Sequence, residues 1–406
     1  MHFTILGAGI VGLAAAWELT QRGHRVTVVD RGAAGAGASR GNGAQLSYSY
    51  VQPLADPSIW NQLPKLLLAR ESPLKVRAQL DPHQWRWGLA FLAACNAGTS
   101  RRTTAQLLTL AERSRIGFEA MRAELKPACD FSETGKLVVY RSQAALDSAA
   151  RQVELQCELG SAPQRIVTPD ECVAIEPSLS HVREQLAGAV YTPSECAADC
   201  FKVCAALEAA LRQRGVQFRL GDAVDGFELR GGKIAALMTD RGPIEGDAFI
   251  MALGIGSDAL ARKLGVRLPV YPLKGYSITL AVDNTPGAAP TVSVTDAAHK
   301  VVFARLGDRL RVAGMAELVG YDTSIPTPRI ASLTASALAL FPQCRPARDS
   351  SPWTGMRPAT PTGRPIVGRI AGAPANLWFD TGHGALGFTL AFGSAVHIAD
   401  LIEAQV

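Results

Sequence analysis

Aromatic residues make up only 6% of the 406-residue chain and charged residues 19%, with a formal net charge of +5 and no block of like charge. Nucleic-acid binding needs clustered Lys and Arg, so that class finds little support here. A mildly basic balance suits anionic small molecules or an anionic lipid face. The eight cysteines include no Cys-x-x-Cys pair and no Cys/His zinc spacing, which reads as free thiols in a reducing compartment. His2, His24, His83, His181, His299 and His397 are scattered, which argues against a metal centre. The first residues lack the charged start, apolar stretch and cleavage site of a secretory leader. Residues 381–399 contain no Asp, Glu, Lys or Arg, but four glycines and two histidines interrupt them, so they are not read as a membrane span. The expected location is the cytoplasm. Low-complexity tracts and short repeats are also missing.

Hydrophobic residues are plentiful at 48%, enough for about two domains. The chain opens on a short apolar strand, residues 3–6, then Gly7-Ala8-Gly9-Ile10-Val11-Gly12, a helical pattern to Arg22, a stop at Gly23, and a β-branched strand ending in Asp30. Gly7 permits the tight turn, Gly9 lets backbone approach a pyrophosphate, and Gly12 lets helix and strand pack closely. The helix N-terminus favours a phosphate. Asp30 stands 18 residues after Gly12, where a carboxylate can accept from ribose hydroxyls; its charge disfavours a 2′-phosphate and hence NADP. The same residues also fit a plain βα turn of a flavodoxin-like sheet. The next stretch, residues 38–47, is too glycine-rich and polar for helix or strand; it could wrap a pyrophosphate and ribityl chain or form a surface loop, which leaves FAD and NAD both open.

Further on, residues 197–214 read as a helix, 216–220 as a strand, 224–229 and 233–239 as a hairpin across Gly231-Gly232, and 248–253 as a strand closed by Gly254. Residues 266–311 are strand-rich, 333–340 look helical, and 389–404 form a closing helix. Cys196, Cys200 and Cys204 recur every four residues, as one helical face would, and read as a packing stripe. Between residues 59 and 95, Trp60, Trp85, Trp87 and Phe91 stand among Lys65, Arg70, Lys75, Arg77 and Arg86. Such a mixture suits a membrane surface; equally, its aromatics would suit the core of a substrate-domain helix pair.

The first 50 residues, the hairpin at Val224, Pro272-Leu273-Lys274-Gly275-Tyr276, Gly314-Met315-Ala316-Glu317, Trp353-Thr354-Gly355-Met356-Arg357-Pro358 and Thr381-Gly382-His383-Gly384-Ala385-Leu386-Gly387 follow one another along the chain. In this order the chain resembles the bacterial D-amino acid dehydrogenases, within the D-amino acid oxidase, glycine oxidase and sarcosine oxidase group. The resemblance implies an α/β fold: a Rossmann-like FAD-binding domain of glutathione-reductase type, interleaved with a sheet-based α+β substrate domain. The expected segments are 1–50, 195–265 and 350–406 for the first and 51–194 and 266–349 for the second.

The resemblance also implies site residues. FAD contacts are expected from Gly7, Gly9, Ile10, Val11, Gly12, Asp30 and Arg31, and from Ser39, Asn42, Gly43, Ala44 and Gln45 in the following loop. Val224, Ala252, Gly254, Gly355 and Arg357 are expected to join them. The turn Gly382, His383, Gly384, Ala385, Leu386 and Gly387, with Thr389, is expected to turn its amides to the flavin pyrimidine. Arg357 is the expected anchor for a substrate carboxylate, which a guanidinium matches with two parallel bonds; Tyr276 and Tyr50 are expected beside it. No cysteine lies between residues 353 and 406, so the flavin is expected to be non-covalent. The implied reaction takes a hydride from the α-carbon of a D-amino acid to flavin N5 and gives a 2-oxo acid and ammonium, with electrons passed to a quinone. The alternative substrates are secondary amino acids such as D-proline, hydroxy-D-proline, glycine or sarcosine. The implied partners are the D-amino acid or cyclic imino acid, a quinone or other acceptor, and the inner face of the membrane.

Overall fold

A computed structural model describes residues 1–60, 74–282, 287–344 and 351–405. The opening apolar run forms the strand His2–Leu6, paired in parallel with Arg25–Asp30 on one side and Ala248–Met251 on the other. The full sheet has six strands, in the order Ile366–Gly368, Leu377–Thr381, Ala248–Met251, His2–Leu6, Arg25–Asp30 and Gln217–Leu220. All neighbours are parallel except the edge pair Ile366–Gly368 and Leu377–Thr381. Three separate stretches of chain therefore build one sheet. Parallel sheets require cover on both faces. Helices Ile10–Gln21, Cys200–Gln213 and Gly387–Glu403 lie on one side. The three-stranded sheet Val224–Arg230, Lys233–Thr239 and Ile244–Glu245 lies on the other, with Ile234, Leu237 and Ile244 packed on Leu6, Phe249 and Phe379.

Helix Ile10–Gln21 is apolar on nearly every side because the sheet and two other helices enclose it. Gly387–Glu403, preceded by the turn Gly384–Leu386, is the one helix among the described residues long and apolar enough to cross a membrane; 61% of its apolar stretch is buried inside the protein. It packs against Ile10–Gln21 and the 29-residue helix Ala97–Leu125.

The second sheet runs Trp353–Ala359, Tyr271–Ala281, Arg309–Leu318, Val301–Leu306, Ser293–Asp296, Lys136–Tyr140, Gly188–Thr192 and Arg165–Val167, with Leu74–Val76 added beside Arg309–Leu318. One face carries the helix Thr327–Leu340 over a core of Ile278, Leu280, Phe303 and Phe341. The other face meets the loop after Asp30: Ser277 Oγ donates to the Gly41 carbonyl, and Arg311 to that of Asn42. Period-two alternation thus divides each strand between a packing face and a face toward the nucleotide module.

Several expectations shift. The boundary at residue 350 cuts wrongly, because Trp353–Ala359 pairs with Tyr271–Ala281 in the larger sheet. The helix expected from 197 begins at Cys200, where the Asp199 carboxylate caps the amides of Phe201 and Lys202. Cys196 is consequently not on that helix but in the short strand Cys196–Ala197, while Cys200 and Cys204 pack in the core. The helix expected at 333–340 begins at Thr327, with a proline in its first turn.

Candidate active site

The first half of the site is the turn between His2–Leu6 and Ile10–Gln21. A Cβ on Gly12 would stand 1.9 Å from the Gly7 carbonyl oxygen, so only glycine allows strand and helix this close. At Gly9 a Cβ would meet nothing nearer than Ser39 Oγ at 3.6 Å, which leaves the backbone open to a ligand. Ser39 Oγ accepts from the Ile10 amide at 3.0 Å, and among the described residues no acceptor meets the amides of Val11 and Gly12. Asp30 accepts from the amides of Ala8 and Gly32, both at 2.8 Å, which holds its carboxylate at the strand end. Arg31 beside it is exposed. Open glycine backbone, free helix-start amides and a fixed carboxylate fit a dinucleotide. Ala252, whose amide bonds the Leu6 carbonyl at 2.8 Å, and Gly254, whose carbonyl accepts from Thr381 Oγ1 at 3.1 Å, close the neighbouring strand end. Val224 starts the hairpin and packs under the sheet.

Residues 39–47 run over the larger sheet. Asn42 Oδ1 accepts from the Ala44 amide at 3.0 Å, a local turn that carries Ala44 at φ +62°. Gly43 rests on Val302. The Gln45 side chain is committed elsewhere than expected: its amide nitrogen reaches the carbonyls of Val294 and Phe303, so only its backbone is left for a cofactor. The Ser47 amide bonds Thr389 Oγ1 at 3.3 Å, which ties the loop to the C-terminal helix.

The second half comes from Trp353–Ala359 and residues 382–387. Arg357 pairs with Leu273, and its guanidinium lies over Gly275, where a Cβ would sit 2.4 Å from a guanidinium nitrogen. Gly355 likewise makes room for the Trp353 ring. One Arg357 nitrogen donates to the Met315 carbonyl at 2.8 Å. Met315 itself stands at φ +63°, a conformation unusual for a long side chain, and this re-aims that carbonyl. Among the described residues no carboxylate pairs with Arg357, and desolvation pulls the guanidinium down to about 10. Two residues on, Ala359 forms a bridge with His383. The anchor candidate and the glycine turn are thus one structural unit, with Gly382 and Gly384 at positive φ, Ala385 and Leu386 in a short 3₁₀ turn, and Gly387 opening the helix.

Tyr276 does not join this unit. It points to the opposite face of its strand, fully buried, and donates to Glu317 at 2.7 Å; Glu317 in turn pairs with Arg329 at 2.6 Å. The motif that contains Arg357's neighbour Gly275 also contains Tyr276, but adjacent residues in a strand face opposite ways. Tyr50 lies outside the strands, its ring 4.2 Å from the ammonium of Lys136, whose strand Lys136–Tyr140 stands five places from that of Arg357 in the larger sheet. Lys136 donates to Ser47 Oγ at 2.9 Å, and the Glu195 carboxylate accepts from the amides of Tyr48 and Ser49, each at 2.7 Å. Burial pushes Glu195 up and Lys136 down from their ordinary ranges. This buried pair, which the sequence reading missed, straps residues 47–50 to the substrate-side sheet. Its one sequence signal is a lone lysine opening the apolar run Lys136–Tyr140.

Known proteins place this geometry. The family model described as "DAO: FAD dependent oxidoreductase" matches residues 2–401. D-amino acid dehydrogenase 2 of Ralstonia nicotianae is 46% identical over 413 residues, covering 99% of this chain and 96% of the relative. D-amino acid dehydrogenase of Paramagnetospirillum magneticum is 42% identical over 409 residues, covering 100% and 96%. Among solved structures, glycine oxidase from Geobacillus kaustophilus superposes with a TM-score of 0.77 at 22% identity, covering 99% of this chain and 94% of that one. L-proline dehydrogenase from P. horikoshii gives 0.76 at 18%, covering 100% and 93%. At such identities the superpositions bear on the fold, and the family rests on the whole-length sequence match. The chain belongs to the DAO family of FAD-dependent oxidoreductases.

Proposed function

We propose that this protein oxidises D-amino acids to 2-oxo acids and ammonium, holding FAD without a covalent bond and passing electrons to a quinone. The observation that supports it is the Arg357 guanidinium, bonded to the Met315 carbonyl but facing no carboxylate among the described residues, and joined through Ala359 to the glycine turn at His383. A buried cation without a counter-ion carries a large desolvation penalty, and a substrate carboxylate relieves it through two parallel hydrogen bonds. The bound flavin would supply hydride acceptance at N5 and electron transfer onward. The chain's own part is positioning: Arg357 fixes the α-carboxylate, and the amides of residues 382–387 present partial positive charge at the helix start. No side-chain base is needed if the substrate amine enters neutral, because its lone pair assists loss of the hydride. The 46% and 42% identical relatives carry the name D-amino acid dehydrogenase, which favours D-amino acids as substrates.

The test is anaerobic bleaching of the bound flavin by a panel of D- and L-amino acids and cyclic imino acids. Bleaching by primary D-amino acids supports the reading. Bleaching by cyclic imino acids or L-amino acids alone overturns it. Peroxide formed in step with turnover would overturn the quinone as acceptor.

We also propose that this protein works in the cytoplasm against the inner face of the membrane. Helix Pro82–Ala94 divides its aromatics: Trp87 is buried and donates to the Ala359 carbonyl at 2.8 Å, while Trp85 and Leu89, four residues apart, stand exposed. Leu80 is wholly exposed beside them, and Arg86, Lys75 and Arg77 are also exposed. Apolar side chains flanked by cations match an anionic lipid surface. Lys65 and Arg70 lie outside the described residues. Sedimentation with phosphatidylglycerol vesicles should carry the protein down, and Trp85→Ser with Leu89→Ser should abolish this. Equal sedimentation of variant and parent, or none with either, overturns the contact.

A further inference from the structure

Asp380 is the one buried acid at the site for which the proposed chemistry has no use. It lies in Leu377–Thr381, beside Trp378 and two residues before the glycine turn, and is 0% exposed. No hydrogen bond of ordinary geometry reaches either carboxyl oxygen, though the Ser394 hydroxyl lies close enough to act on Asp380. Its nearest base is His383 Nε2, at 3.4 Å from Oδ1, and His383 is itself buried. His383 Nε2 lies 3.1 Å from Ser394 Oγ on the C-terminal helix, and Ser394 is fully buried. These three side chains come from the strand, the turn and the helix that meet at the site. No other charged group adds to the electrostatics of Asp380 or His383.

A carboxylate in such surroundings would be an ion with neither water nor counter-ion, the most unfavourable state a side chain can hold. Keeping the proton removes that penalty. It also turns the acid into a donor, and the groups within reach that can accept are the imidazole and the Ser394 hydroxyl. An imidazolium beside it would restore two buried charges. The neutral pair is the arrangement in which every member is compatible with burial.

We propose that Asp380 and His383 form a charge-neutral positioning cluster, packed beside the Ser394 hydroxyl that donates to the Ala391 carbonyl, in which the Asp380 carboxyl keeps its proton, directs it to His383 Nε2, and so fixes the height of the glycine turn against Arg357. Its reach follows from the backbone: His383 bridges Ala359, two residues from Arg357, and its carbonyl accepts from the Leu386 amide at 3.0 Å. A tilt of the imidazole therefore moves both the amides of the turn and the strand of the anchor. Keeping the acid neutral also keeps negative charge from behind a turn read above as facing the flavin. The cluster's role toward the cofactor rests on that reading.

Asp380→Asn retains a donor of the same shape, and Asp380→Leu retains the volume without one. FAD affinity and kcat should stay within about twofold of the parent in Asp380→Asn and fall about tenfold in Asp380→Leu, the effect of one buried hydrogen bond. Infrared spectra of the holoprotein at neutral pH should show the carbonyl band of a protonated carboxylic acid, absent from Asp380→Asn. If Asp380→Leu does not fold, the infrared band and the asparagine variant still decide. Absence of the band, or a loss in Asp380→Asn as large as in Asp380→Leu, overturns the proposal. Should the parent bind no FAD, the cofactor reading fails, while the infrared band still tests the protonated cluster.

Discussion

Lys274, a buried cation, and Arg357, a half-buried one, stand one residue out of register on two adjacent strands, since Lys274 faces Met356 and Leu273 faces Arg357. They sit on opposite faces of the same sheet, and their surroundings differ completely. Lys274 lies 3.6 Å from Asp322, with the Tyr276 ring 5.2 Å away and Glu317 opposite it in register. Arg357 has a single carbonyl at 2.8 Å and no carboxylate. The partnered cation belongs to the packing of Tyr271–Ala281 against Thr327–Leu340. The unpartnered one is poised for an anion from outside. Burial of charge alone identifies neither role; the missing counter-ion does.

The contrast is most directly broken at Arg357. Arg357→Ala should weaken kcat/KM for amino acids by about 3–5 kcal/mol, or roughly a hundred- to several-thousandfold, with little change in melting temperature. Unchanged steady-state kinetics would dissolve the distinction between the two cations.

Asp380 sharpens it from the other side, because an acid without a partner can discard its charge where an arginine cannot. Asp380 stands at about 8 against an ordinary 3.8, and His383 at about 4 against an ordinary 6.5, both through burial. From about pH 4 to 6.5 the folded pair holds one proton, on Asp380, and the unfolded chain also holds one, on the histidine, so the two effects cancel. From about pH 6.5 to 8 the folded pair keeps its proton and the unfolded chain has none. Stability should therefore fall with rising pH in that window, by at most about 1.4 kcal/mol per pH unit. Urea melts across the window should show this slope, and Asp380→Asn should remove it; identical slopes would count against a neutral acid.

Lys274→Met should lower stability by about 1–2 kcal/mol in the same melts, since Asp322 is left partly solvated, and leave KM unchanged. A raised KM would place Lys274 at the substrate after all. The smallest effect is expected of Tyr276→Phe, about 1 kcal/mol of stability for the lost bond to Glu317, again without kinetic change. A drop in kcat there would return Tyr276 to the active site.

Legibility from sequence followed the range of the interactions. The turn at residues 7–12 and Asp30 could be read because strand, glycines, helix and acid lie within one local unit. Arg357 was legible through its motif, though not its lack of a partner. Tyr276 misled because a motif preserves neighbours along the chain, while a strand sends neighbours to opposite faces. Tyr50 was expected beside Arg357, and what the structure shows it against is the Lys136 ammonium, a contact no local motif announced. Lys136, Glu195 and Asp380 gave almost no signal, because a single ionisable residue in an apolar run does not say what lies opposite it.

From the sequence alone came the nucleotide turn and the arginine worth testing, each written in residues close together along the chain, and the FAD-type family, written in the order of several short motifs. Tertiary structure alone decided which charges meet a counterpart: Lys136 beside Glu195 and Ser47, His383 beside Asp380, and for Arg357 a backbone carbonyl and no counter-ion among the described residues. Whether a buried charge is structural or functional depends on the atoms within about 4 Å of it, where charges interact strongly in a low dielectric. Those atoms come from segments up to hundreds of residues away.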